Sequence, residues 1–159
     1  MLASAKTLTY EEFMQLPDKA GKQELVEGDL IEVPPPTERH SRIAHRLFRL
    51  LDRHLQAGME ARMETGYRMG ERTCLQPDLS ILRSDQPAGK YREGAPVLAV
   101  EIISEANRAP DVQRKLALYF ELGAQEVWLI YAGVKHSSAF TSELLPGLTI
   151  DPAALLVDL

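Results

Sequence analysis

Residues 97–103 read VLAVEII and carry one charge, that of Glu101. The run is short, apolar and rich in β-branched residues, and it follows Pro96, so it predicts a buried strand. An ionised carboxylate inside such a strand costs several kcal/mol unless it has a partner. We therefore expect Glu101 to contact a cation or a metal ion, or to lie at the edge of a cleft.

A second apolar strand is predicted upstream, where residues 76–82 read QPDLSIL and Asp78 stands at the strand start. Two strands that each carry one carboxylate could form an oxygen-ligand site on a sheet. Hard divalent cations prefer carboxylate oxygens, often with a backbone carbonyl, and the carbonyl of Ile102 is the natural third ligand. The simpler alternatives are a turn aspartate after Pro77 and a structural salt bridge at Glu101.

The composition is that of an ordinary globular domain. With 159 residues, 45% hydrophobic and 26% charged, the chain can bury one core. No apolar run is long enough to span a bilayer, and residues 1–6 lack the hydrophobic region of a secretory signal. The only cysteine, Cys74, allows no internal disulfide and no thiolate cluster, and we expect it to be a small buried hydrophobe. These features predict a cytoplasmic protein without a membrane partner.

The net charge of −5 argues against a general nucleic-acid coat. It does not exclude a nuclease, because local patches and a bound divalent cation matter more at a cleft.

The N-terminal third contains three signals of secondary structure. Residues 9–12 have the spacing of a capping box and predict a short helix that ends near residues 16–18. Residues 24–33 predict a hairpin that turns at Gly28, and the three prolines at 34–36 end it. Thr37 can cap a long helix that runs to about Ala57.

This long helix carries a basic stripe roughly opposite its apolar face. Such a stripe is usually a solvated face, but the spacing of its arginines could also follow a phosphate backbone. His40 falls on the apolar side near the helix start, where it is either a satisfied histidine or a site residue. The stripe comprises Arg39, Arg42, Arg46, Arg49 and Arg53.

The rest of the chain predicts an α/β sheet flanked by helices. We expect strands at 59–67 and 73–82, then a polar loop over 83–95 and the Glu101 strand. The first three strands can form an antiparallel meander, and a helix that opens at Asn107 or Ala109 then crosses over to a parallel strand. That helix runs to Leu122 and the last strand spans 125–131. The tail over residues 143–148 should pack on the sheet edge.

The crossover helix places three polar residues on one face. Asp111, Lys115 and Tyr119 follow the spacing i, i+4, i+8. Lys115 could orient a water or stabilise negative charge on a phosphoryl group, although a solvated lysine and a core tyrosine are the simpler interpretations. The apolar residues expected to pack beside them on the sheet are Val112, Leu116 and Phe120.

These motifs together resemble a known group of proteins. An aspartate, a glutamate in an apolar strand and then a lysine look like the PD-(D/E)xK nuclease superfamily. More narrowly, the chain resembles the Uma-two family of restriction-endonuclease-like proteins over nearly its whole length. The matching stretches are 10–13, 24–30, 34–36, His40, 77–80, 100–104, 111–119, 126–129 and 145–148.

The resemblance implies a fold of class α/β with a restriction-endonuclease-like core: a helix, a three-stranded antiparallel meander, a helix and a parallel strand. An N-terminal helix and hairpin precede this core. We expect a single domain over residues 1–159, with the N-terminal extension at 1–36, the core at 37–131 and a C-terminal tail at 132–159. The family usually has another strand hairpin after Tyr131, and here only residues 132–142 are available for it. That shortening affects the sheet edge and the surface on which a dimer would form.

The resemblance also implies a site that uses Mg²⁺, or Mn²⁺, at Asp78 and Glu101, with Glu24 as a further carboxylate. The basic superfamily motif has its lysine two residues after the glutamate, where this chain has Ile103. The family resembles those members of the superfamily in which the lysine has moved to the following helix. In this chain that lysine is Lys115.

The leading hypothesis is a metal-dependent endonuclease that hydrolyses DNA. A second hypothesis is a non-catalytic nucleic-acid-binding or regulatory protein on a nuclease fold, which the acidic net charge and the displaced lysine favour. A third is a nuclease-like domain that acts only as a homodimer or with a partner protein. Candidates for substrate contacts or supporting roles are His40, Tyr119, Arg42, Arg46 and Arg49.

Overall fold

The computed structural model describes residues 7–133 and 138–159. Its helices are α1 (Tyr10–Phe13), α2 (Glu38–Arg53), α3 (Ala109–Glu121) and α4 (Pro152–Leu155). Its first six strands are β1 (Lys22–Val26), β2 (Asp29–Val33), β3 (Met59–Met63), β4 (Tyr67–Gly70), β5 (Thr73–Leu75) and β6 (Leu79–Arg83). The remaining strands are β7 (Arg92–Glu93), β8 (Leu98–Ile103), β9 (Glu126–Tyr131), β10 (Phe140–Thr141) and β11 (Thr149–Ile150).

The central sheet has the strand order β3-β6-β8-β9. Strands β3, β6 and β8 pair antiparallel, β8 and β9 pair parallel, and α3 makes the crossover between the last two. This is the predicted α/β arrangement of a helix, a three-stranded meander, a helix and a parallel strand. The strand of Glu101 is therefore interior, because it has a paired neighbour on each side.

A second sheet, of order β2-β1-β5-β4-β7, packs beside the central one. Its first hairpin turns at Glu27 and Gly28, both with positive φ (51° and 92°), as a two-residue turn between right-twisted strands requires. The hairpin and its turn were predicted. The short strand β7 lies inside the segment predicted to be only a polar loop.

The two long strands expected at 59–67 and 73–82 are each divided between the two sheets. The first breaks after Met63, because Glu64 has a φ of 47° in the left-handed region and turns the chain out of the central sheet. The second breaks at residues 76–78, where Pro77 has no N–H to donate to a ladder. The prediction of continuous strands was therefore wrong, and the break puts Asp78 at a junction between the sheets.

Helix α2 begins at the predicted cap: the Thr37 side chain accepts a hydrogen bond of 3.2 Å from the His40 N–H. Its apolar stripe of Ile43, Leu47 and Leu51 is fully buried in the main core cluster. The helix ends at Arg53 rather than near Ala57, because the following residues already turn toward β3.

Helix α3 has Pro110 in its first turn, as expected, and ends just before Gly123, which has a φ of 118°. The prediction that Phe120 packs on the sheet was wrong, because Phe120 is 50% exposed. The buried positions Val112, Lys115 and Tyr119 follow a 3–4 spacing, and Phe120 lies one position, about 100°, past that stripe.

The C-terminal tail packs into the core rather than only on the sheet edge. Leu145, Leu148, Ile150 and Leu155 are buried in the same cluster as α2 and the central sheet. Residues 134–137, within the expected site of the missing hairpin, lie outside the described residues. None of the helices in the described ranges is both long and apolar enough to cross a membrane.

Leu47→Ala tests the packing of α2. Leu47 is fully buried, so the variant should lose about 2–5 kcal/mol of unfolding free energy. Urea unfolding followed by circular dichroism measures it. Arg49→Ala, on the exposed side of the same helix, should change stability by less than about 0.5 kcal/mol. Equal losses in the two variants would contradict this packing.

Candidate functional site

The four predicted acidic and lysine residues come together in one buried cluster. Glu24 lies on β1, Asp78 directly precedes β6, Glu101 lies in β8 and Lys115 lies in α3. All four are buried, with exposed fractions of 1%, 6%, 6% and 8%. Residues this polar are almost never buried unless they are paired, so the cluster must satisfy its own charges.

The strand register explains why Asp78 and Glu101 meet. Leu79 pairs with Val100 in the antiparallel ladder, and continuing that register by one residue sets Asp78 opposite Glu101. The N–H of Ile102 donates a hydrogen bond of 2.6 Å to Asp78 Oδ2. The antiparallel pairing of β6 and β8 therefore explains why the two carboxylates lie side by side, as predicted.

The inner half of the cluster centres on Lys115. Its Nζ lies 2.8 Å from Glu24 Oε2 and 2.6 Å from Glu101 Oε1. The Tyr119 hydroxyl donates a hydrogen bond of 2.8 Å to the same Glu101 oxygen, and the N–H of Gln76 donates one of 2.7 Å to Glu24 Oε1. Glu101 Oε1 is thus held by two donors from α3, while its other oxygen points away from them.

The outer half contains a lysine that the sequence analysis did not single out. Lys22 Nζ lies 3.2 Å from Asp78 Oδ1 and 3.9 Å from Glu101 Oε2, and it donates a hydrogen bond of 2.9 Å to the carbonyl of Gln76. The signal was available: Lys22 precedes Glu24 by two residues, and residues i and i+2 of a strand share a face. Asp78 thus has a lysine ammonium beside it.

His40 completes the outer half. Its Nε2 lies 3.2 Å from Asp78 Oδ2, where the first turn of α2 brings the ring. Its Nδ1 is buried and has no hydrogen-bond partner among the described residues. His40 is therefore a neighbour of Asp78. The sequence left open whether this histidine is a site residue or a structural one.

Two neighbouring cavities border the cluster. A cleft of about 480 Å³ is lined by Lys22, His40, Asp78 and Ile102, together with the prolines that follow β2. A smaller cavity of about 80 Å³ is lined by Glu24, Glu101, Lys115 and Tyr119. Asp78 and Lys22 therefore line the larger cleft, and Glu101 and Lys115 line the smaller cavity.

The carboxylates differ in their pKa. Burial disfavours the charged form of Asp78, but the hydrogen bond with His40 and the charge of Lys22 outweigh burial and hold the pKa of Asp78 well below its usual range. Burial raises the pKa of Glu101, and the charges of Lys115 and Lys22 oppose that rise without cancelling it. Asp78 is thus the firmly ionised member of the pair.

The pKa values of Lys22, Lys115 and Tyr119 are all raised. Burial alone would lower the pKa of Lys22 and of Lys115, but the charges of Glu101 and Glu24 outweigh it and raise both. Burial and the neighbouring charge of Glu101 raise the pKa of Tyr119 well above its usual value. Both lysines are therefore ammonium groups at neutral pH, and Tyr119 is a hydrogen-bond donor.

The basic stripe of α2 does not behave as one unit. Arg46 is tied to the C-terminal tail, because its Nη1 donates hydrogen bonds of 2.8 Å and 2.7 Å to the carbonyls of Leu155 and Val157. Arg42 and Arg49 are exposed. Arg46 therefore has a structural partner, while the other four arginines of the stripe are exposed.

The donor set is of the kind that Mg²⁺ or Mn²⁺ prefers. Asp78 Oδ1 and Glu101 Oε2 converge on one positive group, the ammonium of Lys22, and both are hard oxygen ligands. Within the described residues, no group of three or more His, Cys, Asp or Glu side chains is arranged to hold a metal. The fit therefore rests on two carboxylates that already face a common cation.

The sheet, its crossover helix and the carboxylate–lysine cluster define an α/β protein of the nuclease class. The Uma2 family model, described as "Putative restriction endonuclease", matches residues 10–150, and the chain belongs to this family. A crystal structure titled "a putative nuclease belonging to DUF820", from Anabaena variabilis ATCC 29413, has a TM-score of 0.79 at 19% identity. The match covers 94% of this chain and 97% of that chain, and at such identity it shows the fold. No curated protein matches the chain.

Asp78→Asn tests the charge on the outer carboxylate. The folded pKa of Asp78 is depressed, so its ionised form stabilises the fold above the unfolded value of about 3.9, and this contribution is lost as pH falls through the folded value. The variant should be about 1.5–3 kcal/mol less stable than wild type near neutral pH. The difference should shrink below about pH 4, as measured by urea unfolding across pH.

Asp52→Asn provides the control for this prediction, because Asp52 is exposed on α2. We expect a small change that does not vary with pH. A stability difference for Asp78→Asn that stays constant from neutral to acidic pH would show that the ionised carboxylate is not the stabilising form.

Proposed function

We propose that this protein is a Mg²⁺-dependent endonuclease that hydrolyses phosphodiester bonds in DNA. One observation carries the proposal: Asp78 and Glu101, from adjacent strands, converge on a single cation at the wall of a cleft of about 480 Å³. Membership of the Uma2 family supports the nuclease class. The divalent cation, its ligands and the DNA substrate belong to the proposal.

In this proposal Asp78, Glu101 and the carbonyl of Ile102 hold the metal, and Glu24 supports them from the inner side. A bound Mg²⁺ would lower the pKa of an attacking water and neutralise charge on the phosphate. Asp78 is suited to a ligand role because it stays ionised. His40, next to Asp78 at the cleft, would orient the carboxylate or contact the phosphate.

Lys115 has a supporting role in this scheme. Its ammonium and the Tyr119 hydroxyl both engage Glu101 Oε1, and Oε2 faces the ammonium of Lys22. Glu24 fixes Lys115 in turn. We therefore assign to the lysine of the crossover helix the positioning of Glu101, and through it the shape of the metal site.

DNA would approach along α2. His40 lies in the first turn of this helix beside Asp78, and the exposed Arg42 and Arg49 lie further along it. Arginine contacts to phosphates position a duplex without reading its sequence. We also keep the expectation of a homodimer as a proposal, which a mass measurement in solution would test.

Glu101→Gln tests the catalytic proposal. It removes one carboxylate charge while keeping the side-chain size, so cleavage of DNA with Mg²⁺ should fall at least about 100-fold. Gel assays of plasmid and single-stranded DNA measure it. The exposed Glu105→Gln, just beyond the same strand, should cleave like wild type. Full activity of Glu101→Gln would refute the mechanism.

Arg42→Ala tests the DNA path. Because each phosphate contact adds about 0.9 to the slope of log affinity against log salt, the variant should bind DNA more weakly and lose about one unit of slope. Binding can be followed by fluorescence anisotropy, with Ca²⁺ in place of Mg²⁺. The exposed Arg83→Ala, at the end of β6, serves as the control. An unchanged slope in Arg42→Ala would exclude this path.

A second candidate is a non-catalytic nucleic-acid-binding protein on the same fold. It is favoured by the position of Lys22, whose ammonium already lies between the carboxylates that would hold a metal. This candidate requires DNA binding that needs no metal and survives Asp78→Asn, with no cleavage by wild type under any divalent cation. The endonuclease proposal requires the opposite results.

A further inference from the structure

The ammonium of Lys22 occupies the point on which the carboxylates Asp78 and Glu101 converge. It lies 3.2 Å from the first and 3.9 Å from the second. Both distances exceed the contacts of 2.8 Å and 2.6 Å that Lys115 makes with Glu24 and Glu101. Since attraction falls with distance, Lys22 is the more loosely held of the two lysines.

Lys22 also has more free space around it than Lys115 has. Lys22 lines the cleft of about 480 Å³ and also a cavity of about 150 Å³ on its other side. Lys115 borders the smaller cavity of about 80 Å³. A lysine side chain is flexible, so Lys22 has room to leave the carboxylates, and the Gln76 carbonyl, which lines both larger spaces, remains near it as an acceptor.

The charge balance of the cluster also favours an exchange of cations. Three carboxylates, Glu24, Asp78 and Glu101, face two ammonium groups, Lys22 and Lys115. When these five side chains are all ionised, they carry one net negative charge. If a divalent cation replaced Lys22 between Asp78 and Glu101, the cluster would be neutral, and a buried charge would no longer be left without compensation.

We propose that Lys22 is a tethered cation that occupies the divalent-metal position between Asp78 and Glu101 and leaves it when the metal binds. The inference rests on the metal site of the proposed function. Before metal binds, the ammonium of Lys22 offsets the repulsion between the two carboxylates, so they are already close together when the metal arrives. The metal then has to displace an ammonium, and its apparent affinity is lower than the two carboxylates alone would give.

Calorimetric titration with Mn²⁺ tests this competition in the whole protein without any nucleic acid. Lys22→Met removes the competing ammonium and keeps a side chain of similar length, so it should bind Mn²⁺ at least about tenfold more tightly than wild type. Lys22→Arg keeps the tethered charge and should stay within about threefold of wild type. Circular dichroism confirms that each variant is folded.

Lys90→Met is the matched control, because the exposed Lys90 lines the same 150 Å³ cavity as Lys22 but has no contact with either carboxylate among the described residues. It measures the effect of removing one nearby positive charge. We expect a change of less than about threefold.

The possible results separate this inference from the proposed function. Tighter Mn²⁺ binding in Lys22→Met alone supports the competition. If wild type binds Mn²⁺ and Lys22→Met binds equally or more weakly, or if Lys22→Arg matches Lys22→Met, the competition is refuted and the metal site stands. If neither wild type nor Lys22→Met binds, the metal site itself fails and the competition fails with it.

A crystal structure of wild type with Mn²⁺ keeps the inference testable if Lys22→Met does not fold. The inference requires the metal between Asp78 and Glu101, with Lys22 Nζ moved into the cleft or the neighbouring cavity. A metal bound between the carboxylates while Lys22 still contacts both would overturn it.

Discussion

The structure depends on one unfavourable requirement, the burial of Glu101 in the middle of the central sheet. Glu101 is 6% exposed, so the carboxylate must be compensated from within the protein. Compensation comes from α3, through Lys115 and Tyr119, and from β1, through Lys22. Two elements far apart in sequence are thereby fixed against the same strand. Breaking either contact would leave a buried charge with one partner fewer, which is more costly than the pair is favourable.

The same requirement gives the second sheet a function. Strand β1 carries Lys22 and Glu24 on one face, and its hairpin brings both over the edge of the central sheet. The breaks after Met63 and at residues 76–78 matter here, because they let the chain pass between the sheets and leave Asp78 at the junction. An unbroken pair of long strands would give a larger central sheet but would separate Asp78 from Lys22. The irregularity is thus what assembles the site.

The sequence predicted those parts that depend on local pattern. An isolated charge in an apolar run identified Glu101, a strand boundary identified Asp78, and helical spacing put Lys115 and Tyr119 on one face. Lys22 was missed because its partner Asp78 is 56 residues away, and strand alternation says only that Lys22 shares a face with Glu24. What that face meets is set by the packing of two sheets. The prediction for Phe120 was wrong for a related reason. It depended on how α3 is rotated about its own axis, and the burial of Lys115 determines that rotation.

Two lysines from other elements contact Glu101, whose own strand carries no cation. Lys115 Nζ lies 2.6 Å from Oε1 of Glu101 and Lys22 Nζ lies 3.9 Å from Oε2, both on the face of the sheet to which this side chain points. The two oxygens of Glu101 therefore have different environments: Oε1 accepts from Lys115 and Tyr119, whereas Oε2 has the longer contact with Lys22. The exchange of cations that we propose uses this asymmetry, because α3 can hold the side chain in place while Lys22 leaves. The asymmetry follows from the position of Glu101 between a helix and a second sheet.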